Sequence, residues 1–300
     1  MAQSSAGVPV PRRLGHDDHV IELADGRAMG FAQYGRPDGR VVVNAHGGMA
    51  CRLDVAAAAT TADECGIRLI SPDRPGIGLS DPRPNRTLSD WAHDAGELMD
   101  QLGVEEFAVM GWSMGGQYAA ALGHVWPSRV TRVAIIAGAL PLTDPLAFDR
   151  LPSMDRVFTR LSQRVPWLAR QIFRTMGFAA RSAPNLYGRL AARDLGDADG
   201  AVLRDEGLDT FAAMSREALR RPAGVVEEYR AWMRPWGFAP ADLRVPVDVW
   251  AGTEDQLVDA SWPAKLAGQI PGATLNLRSG GHFMAHLYYR EIFETLIPRD

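Results

Sequence analysis

Gly111-Trp112-Ser113-Met114-Gly115-Gly116 is the stretch whose reading decides the fold, because of the residues on either side of it. Before it, Phe107-Ala108-Val109-Met110 is a short apolar run of strand type. After it, Gln117-Tyr118-Ala119-Ala120-Ala121-Leu122 reads as the first turns of a helix. A strand that becomes a helix within two or three residues forces its turn residue into a strained conformation. Glycines beside that residue relieve crowding, since a Cβ there would meet the helix or the adjacent strand. Such a turn lifts the Ser113 hydroxyl over the end of a sheet and aims helix-start N–H groups at whatever binds there. Ser113 is therefore a candidate nucleophile. The competing reading is chance, three fixed positions in five in a chain with 30 glycines; the strand before and the helix after weigh against it.

A serine hydroxyl is a poor nucleophile at neutral pH, so a base must lie within hydrogen-bond reach and an acid must orient that base. Both follow in the chain, in the order Ser, Asp, His. Residues 245–251 read as a half-buried strand ending in Gly252-Thr253-Glu254-Asp255, which sets a carboxylate just past the strand's C-terminal end. Residues 273–277 read as the next strand, followed by the glycine-rich turn Ser279-Gly280-Gly281-His282-Phe283. The long gap from 113 to 255 and the short one from 255 to 282 suit an acid and a base on loops after two consecutive strands.

Two further stretches fall into line. His46-Gly47-Gly48-Met49 follows the apolar strand 41–45, and Asp73-Arg74-Pro75-Gly76-Ile77-Gly78-Leu79-Ser80 follows the strand 67–71. With the turn at Ser113 and the Asp255 and His282 loops, these resemble, in order, the motifs of the Ser-nucleophile branch of the α/β-hydrolases. The resemblance covers nearly the whole chain except an N-terminal tail and a central insert. It implies Ser113 as nucleophile, His282 as general base and then acid, and Asp255 as the orienting carboxylate. It also implies an oxyanion hole made by the backbone N–H groups of Gly48 and Met114, and no cofactor.

Other residues compete for these roles. Glu254 or Asp259 is an alternative orienter, and His286 an alternative base one helical turn after His282; the glycine turn favours His282. His282 and His286, four apart, also have a metal-ligand spacing, but no Glu of an H-E-x-x-H pattern and no third ligand accompany them, so no metal is expected. His46 is read as holding its loop by hydrogen bonding, and Trp112 as packing in the core beneath the turn.

Composition fits one globular enzyme. The 300 residues are 46% hydrophobic, and a net charge of −4 leaves no basic surface of the kind nucleic acid requires. No run approaches the ~18 apolar residues of a membrane-spanning helix. Residues 1–15 lack a signal peptide's apolar core, so residues 1–17 are expected to be a flexible tail. The two cysteines, Cys51 and Cys65, are read as reduced, which points to the cytoplasm. Many arginines against the single Lys265 are associated with a GC-rich bacterial genome. Monomer and homodimer are left open.

Strand and helix alternate along most of the chain, which implies a mostly parallel sheet covered on both faces. Residues 18–35 are expected to give two strands joined through Asp25-Gly26; 50–64 a helix; 88–102 a helix capped near Ser89 or Asp90; 283–296 the last helix. Residues 141–240 break the pattern: amphipathic helices punctuated by Pro and Gly, with no clear strand. This stretch resembles the helical cap that many family members insert after the sixth strand. The expected architecture is thus an eight-stranded-type, mostly parallel α/β-hydrolase sheet flanked by helices, its core formed by 18–140 and 241–300 and its cap by 141–240. Met49, Trp232, Met233 and Trp236 are candidates for the pocket wall, since ligands usually sit between two such layers.

The reaction class follows from the site. Ester hydrolysis of a small, largely apolar molecule is the leading expectation, because esters need least help with the leaving group. Cofactor-free haloperoxidase or perhydrolase, thioesterase and carbon–carbon bond hydrolase chemistry use the same triad, and a non-catalytic ligand-binding protein is the reading from another class. Epoxide hydrolases and haloalkane dehalogenases carry Asp where Ser113 stands, and proline iminopeptidases carry Trp where Met114 stands.

Overall fold

A computed structural model describes residues 12–13, 18–143 and 145–298. Nine strands form one sheet: β1 (Arg12–Arg13), β2 (Asp18–Glu22), β3 (Ala28–Gly35), β4 (Arg40–Ala45), β5 (Ile67–Pro72), β6 (Phe107–Trp112), β7 (Val130–Ile136), β8 (Val247–Gly252) and β9 (Thr274–Arg278). Their order across the sheet is β1-β2-β3-β5-β4-β6-β7-β8-β9. The first three strands run antiparallel to their neighbours, and every pairing from β5 to β9 is parallel. The two-residue β1 aside, this is the expected eight-stranded arrangement, with β2 and β3 joined through Asp25-Gly26. Apart from Arg12–Arg13, the expected tail of residues 1–17 lies outside the described residues.

Among the described residues, twelve α-helices accompany the sheet: α1 (Ala59–Glu64), α2 (Leu88–Gln101), α3 (Gly115–Val125), α4 (Pro145–Asp149), α5 (Ser153–Arg164), α6 (Pro166–Ser182), α7 (Pro184–Asp194), α8 (Asp197–Glu206), α9 (Leu208–Ala218), α10 (Pro222–Trp232), α11 (Trp262–Gln269) and α12 (Ala285–Leu296). Helices α4–α10 all fall between β7 and β8, the stretch read from sequence as a helical insert. Counted from Asp18, β7 is the sixth strand.

Central strands are apolar runs because both their faces are covered. Val42, Ala108, Met110 and Ala134 pack with α1 and α12 on one face, while Val43, Val109, Val133 and Ile135 join α2, α3 and α11 on the other. Strand β8 is fully buried rather than half-buried as its sequence suggested. Its Asp248 is 1% exposed and paired with Arg132 of the neighbouring strand at 2.5 Å, so the polar residue marks a buried ion pair. The edge strand β9 instead leaves Leu275 and Leu277 partly in solvent.

Two helix starts differ from expectation. The helix expected from residue 50 begins at Ala59, after a turn of 3-10 helix at Ala56–Ala58. Residues 51–54 are held in a turn because Arg52 and Asp54 are buried there on tertiary partners. Arg52 bonds Asp18 and Asp73, while Asp54 accepts from Asn44 and from the Gly47 N–H. Helix α2 is capped by Thr87, two or three residues before the expected caps. Thr87 accepts from the Asp90 N–H and the Asp90 side chain accepts from the Thr87 N–H, a capping box.

The sheet order sets the site. The chain passes from β4 to β5 on one side, then crosses to β6 on the other, so β4 sits where the winding reverses. Ligands of open parallel sheets bind outside the carboxyl ends of the strands at such a point. Because Ala45 pairs with Gly111, the loops after β4 and β6 leave the sheet side by side.

Candidate active site

Ser113 follows β6 in a left-handed conformation, φ +56°, with its N–H on the Ile136 carbonyl at 2.8 Å. The glycines beside it are sterically required. A Cβ on Gly115 would stand 1.9 Å from the Ala45 carbonyl oxygen, so only glycine lets the helix start this close to β4. Met49 and Ala137 are also left-handed non-glycine residues, and both line the cavity that Ser113 lines. Backbone strain of this kind gathers at functional sites.

Gly48 and Met114 line the same cavity, and a Cβ on Gly48 would lie 3.0 Å from the Met114 side chain. The Gly48 loop is fixed from beneath. His46 takes the Arg74 N–H on Nε2 at 3.1 Å, which leaves Nδ1 to donate to the Gly47 carbonyl at 2.9 Å. Burial, with Arg74 nearby, holds the His46 pKa well below its ordinary value, so the ring is neutral and structural. The Arg74 guanidinium donates to the His46 and Gly47 carbonyls and reaches Glu228 of α10 at 2.6 Å. Through Arg74 the loop after β5 ties the loop after β4 to the helical segment.

Asp255 and His282 leave the neighbouring strands β8 and β9 and meet. The Asp255 Oδ2 lies 2.9 Å from the His282 Nδ1, and its Oδ1 accepts from the N–H groups of Leu257 and Val258 at 2.8 and 3.0 Å. Burial alone would raise the Asp255 pKa, but the imidazole and the two backbone donors hold it below its ordinary value. Burial likewise disfavours the imidazolium of His282, yet Asp255, with Asp199 and Asp155 behind it, carries its pKa above the ordinary one. The two partners thus shift in the directions that a mutual ion pair requires.

The competitors are engaged elsewhere. Glu254 accepts from the Gly280 N–H, and Asp259 is bonded to Ser261 and Arg150. His286 is paired through Nδ1 with Glu206 of α8 and does not line the cavity of Ser113.

Three residues here carry no local sequence signal. Trp112 is half-buried and packs against the core as expected, but it also lines the cavity and donates from Nε1 to the His282 carbonyl at 2.9 Å. Asp199, at the start of α8, accepts from the His282 N–H at 3.0 Å and the Phe283 N–H at 2.8 Å. Its contact explains Gly281, where a Cβ would come 2.3 Å from the Asp199 carboxylate. Asp155 of α5 lines the cavity and is bonded to Tyr229 of α10.

Of the candidate wall residues, Met49 and Trp232 line the cavity, whereas Met233 and Trp236 do not. Both lie past the last turn of α10, where the chain has turned toward the core. Trp236 packs there against Phe238, which in turn stacks on His124 of α3.

Residues 40–287 match the family model described as alpha/beta hydrolase fold. The chain belongs to the α/β-hydrolase family. Among solved structures, this chain is similar to a thermophilic esterase from Thermogutta terrifontis, with a TM-score of 0.67 and 21% identity over 93% of this chain and 96% of that one. At that identity the likeness is one of fold. A homoserine O-succinyltransferase from Neisseria gonorrhoeae is 32% identical over 122 residues, and the match spans 37% of this chain but only 32% of the transferase. The magnesium-chelatase 30 kDa subunit of Rhodobacter capsulatus is 30% identical over 224 residues, 72% of each chain. Among the described residues, no helix is long and apolar enough to cross a membrane.

Proposed function

We propose that this α/β hydrolase is a serine hydrolase that cleaves the carboxylic ester of a small, largely apolar molecule through an acyl-enzyme. One observation carries the reading: the strained Ser113 lines the same cavity as His282, whose Nδ1 is paired with Asp255 behind it. In this reading Ser113 Oγ attacks the ester carbonyl while His282 Nε2 takes its proton. Asp255 on Nδ1 keeps Nε2 free to accept that proton and stabilises the imidazolium that forms. The oxyanion gathers on the N–H groups of Gly48 and Met114, each donor of this kind contributing ~3–4 kcal/mol. His282 then returns the proton to the departing alcohol. Water, deprotonated by His282, releases the acid and regenerates Ser113.

Residues 141–240 serve as the cap, with core residues 18–140 and 241–300 beneath. Supporting this, Leu151, Tyr229 and Trp232 of that segment line the cavity opposite Ser113. Thioesterase, perhydrolase and acyl-transfer chemistry share every step up to the acyl-enzyme and differ in the leaving group or the acceptor.

The test is a panel of p-nitrophenyl esters of increasing acyl length, run with wild-type protein and Ser113→Ala in parallel. Turnover that vanishes with Ser113 supports the reading, as does a stoichiometric acyl adduct on the Ser113 peptide by mass spectrometry. Binding without Ser113-dependent turnover of any ester would point to a ligand-binding protein instead.

A further inference from the structure

The cavity over Ser113 is walled by apolar and aromatic side chains, among them Met49, Leu151, Phe211 and Trp262. Among the described residues, its lining contains one of the Asp, Glu, Lys and Arg types, Asp155. This carboxylate stands in the first turn of α5, where the helix N-terminus favours negative charge. Its Oδ1 accepts from the Tyr229 hydroxyl at 2.9 Å. Tyr229 is itself immobile: it is 1% exposed, and its ring is stacked on Phe173 with Phe158 at its edge. The carboxylate is therefore held in one orientation by a rigid donor.

A carboxylate can accept about four hydrogen bonds, and Tyr229 supplies one. No Arg or Lys among the described residues forms an ion pair with it, and no cationic side chain but His282 lines the cavity. A negative group in an apolar cavity is costly until a donor or a cation joins it, and burial accordingly pushes the Asp155 pKa up. The Tyr229 and Trp232 rings meet edge to face, 6.0 Å apart at 64°, and both residues line the cavity. Aromatic rings beside a carboxylate make a wall that suits a positive group better than an anion. An acceptor needed only to hold Tyr229 could be neutral.

We propose that Asp155, with Tyr229 and Trp232, forms a subsite for a protonated amine, so that the ester cleaved at Ser113 belongs to an amine-bearing molecule. The second half of this rests on the serine-hydrolase reading of the cavity; the first half does not. A neutral isostere leaves the carboxylate unpaired, and an anionic one meets like charge.

Two measurements test the subsite separately from the chemistry. The first is calorimetric titration of Ser113→Ala protein with hexylamine and with hexan-1-ol. The amine is expected to bind tighter by roughly 10- to 100-fold, the range of a hydrogen bond between charged groups. That preference should disappear in Ser113→Ala/Asp155→Asn. The second is kcat/KM for p-nitrophenyl 6-aminohexanoate relative to p-nitrophenyl heptanoate and p-nitrophenyl hydrogen adipate. Wild type should rank them amine, neutral, anion, and Asp155→Asn should bring the amine-to-heptanoate ratio down by the same factor. Tyr229→Phe frees the carboxylate without removing it and should lower the ratio part-way; it decides the matter if Asp155→Asn does not fold. Equal binding of hexylamine and hexan-1-ol, or an amine preference that survives Asp155→Asn, overturns the subsite. Amine binding without Ser113-dependent turnover upholds the subsite and overturns the hydrolase reading.

Discussion

Asp199 is the most exacting test of how the helical segment and the proposed triad depend on each other. It reaches from α8 to the backbone of the His282 loop, bonding the N–H groups of residues 282 and 283 at 3.0 and 2.8 Å while only 1% exposed. Asp199→Ala leaves both donors buried without a partner. Hydrogen bonds to a charged group contribute about 1.5–3 kcal/mol each, and relief of the carboxylate's own desolvation returns part of that. A net loss of about 2–4 kcal/mol follows, which for a chain of this size lowers Tm by roughly 3–6 °C. Asp199→Asn keeps one acceptor, turns an amide donor toward the other N–H, and should fall between. Loss of stability alone would not distinguish a scaffold residue from one that positions the base. Two further readouts do. The Asp199 charge helps to raise the His282 pKa, so in Asp199→Asn the acid limb of the kcat/KM profile should move to lower pH. A loosened His282 loop also misplaces the imidazole, and kcat should drop by roughly 10- to 100-fold with little change in KM. Gly281→Ala, whose Cβ would stand 2.3 Å from the Asp199 carboxylate, should reproduce the kcat loss while keeping the charge. A folded Asp199→Asn protein with the wild-type pH limb and wild-type kcat on p-nitrophenyl butyrate would falsify the positioning role.

Three other outcomes are expected. Ser113→Ala and His282→Ala should each lower kcat by roughly 10⁴-fold or more, and the double variant should be little worse than either, since members of one proton-transfer unit are non-additive; multiplicative losses in steady-state assays contradict the triad. The raised pKa of His282 places the acid limb of kcat/KM above 6.5, because turnover needs the neutral ring. The same shift contributes stability that is complete below 6.5 and lost as pH rises through the folded-state pKa, so between the two values activity and this contribution change in opposite directions; paired pH series of rate and thermal unfolding check the signs. Trp232→Ala should change the ratio of kcat/KM between long and short acyl esters by ~1–3 kcal/mol, whereas Trp236→Ala, off the cavity, should lower Tm and leave the ranking unchanged.

The residues 107–122 determined the elbow by themselves, because the crowding there is local. A strand, a serine and a helix within a few residues leave no room for a Cβ, and Gly115 records that constraint directly. The same holds for the loops after β4, β8 and β9. Each strand ends in its motif, and parallel pairing carries the ends of neighbouring strands to one edge, so chain order sufficed to bring the loops of Ser113, Asp255 and His282 together there. Periodicity also placed seven helices between β7 and β8 as a helical stretch, but it could not say which way their faces point. Trp232 and Trp236 lie four residues apart, and only packing decided that the first lines the cavity and the second the core. Asp155, Asp199 and the capping Thr87 differ in the same way. Thr87 was missed although its signal was local, three residues from Asp90. The two aspartates answer to partners on other elements, Tyr229 for one and the His282 loop for the other. A polar residue on an amphipathic helix looks solvated until the tertiary structure covers it. Burial then turns an ordinary carboxylate into one that must be paired, and that pairing exists only once the helical segment has closed over the sheet.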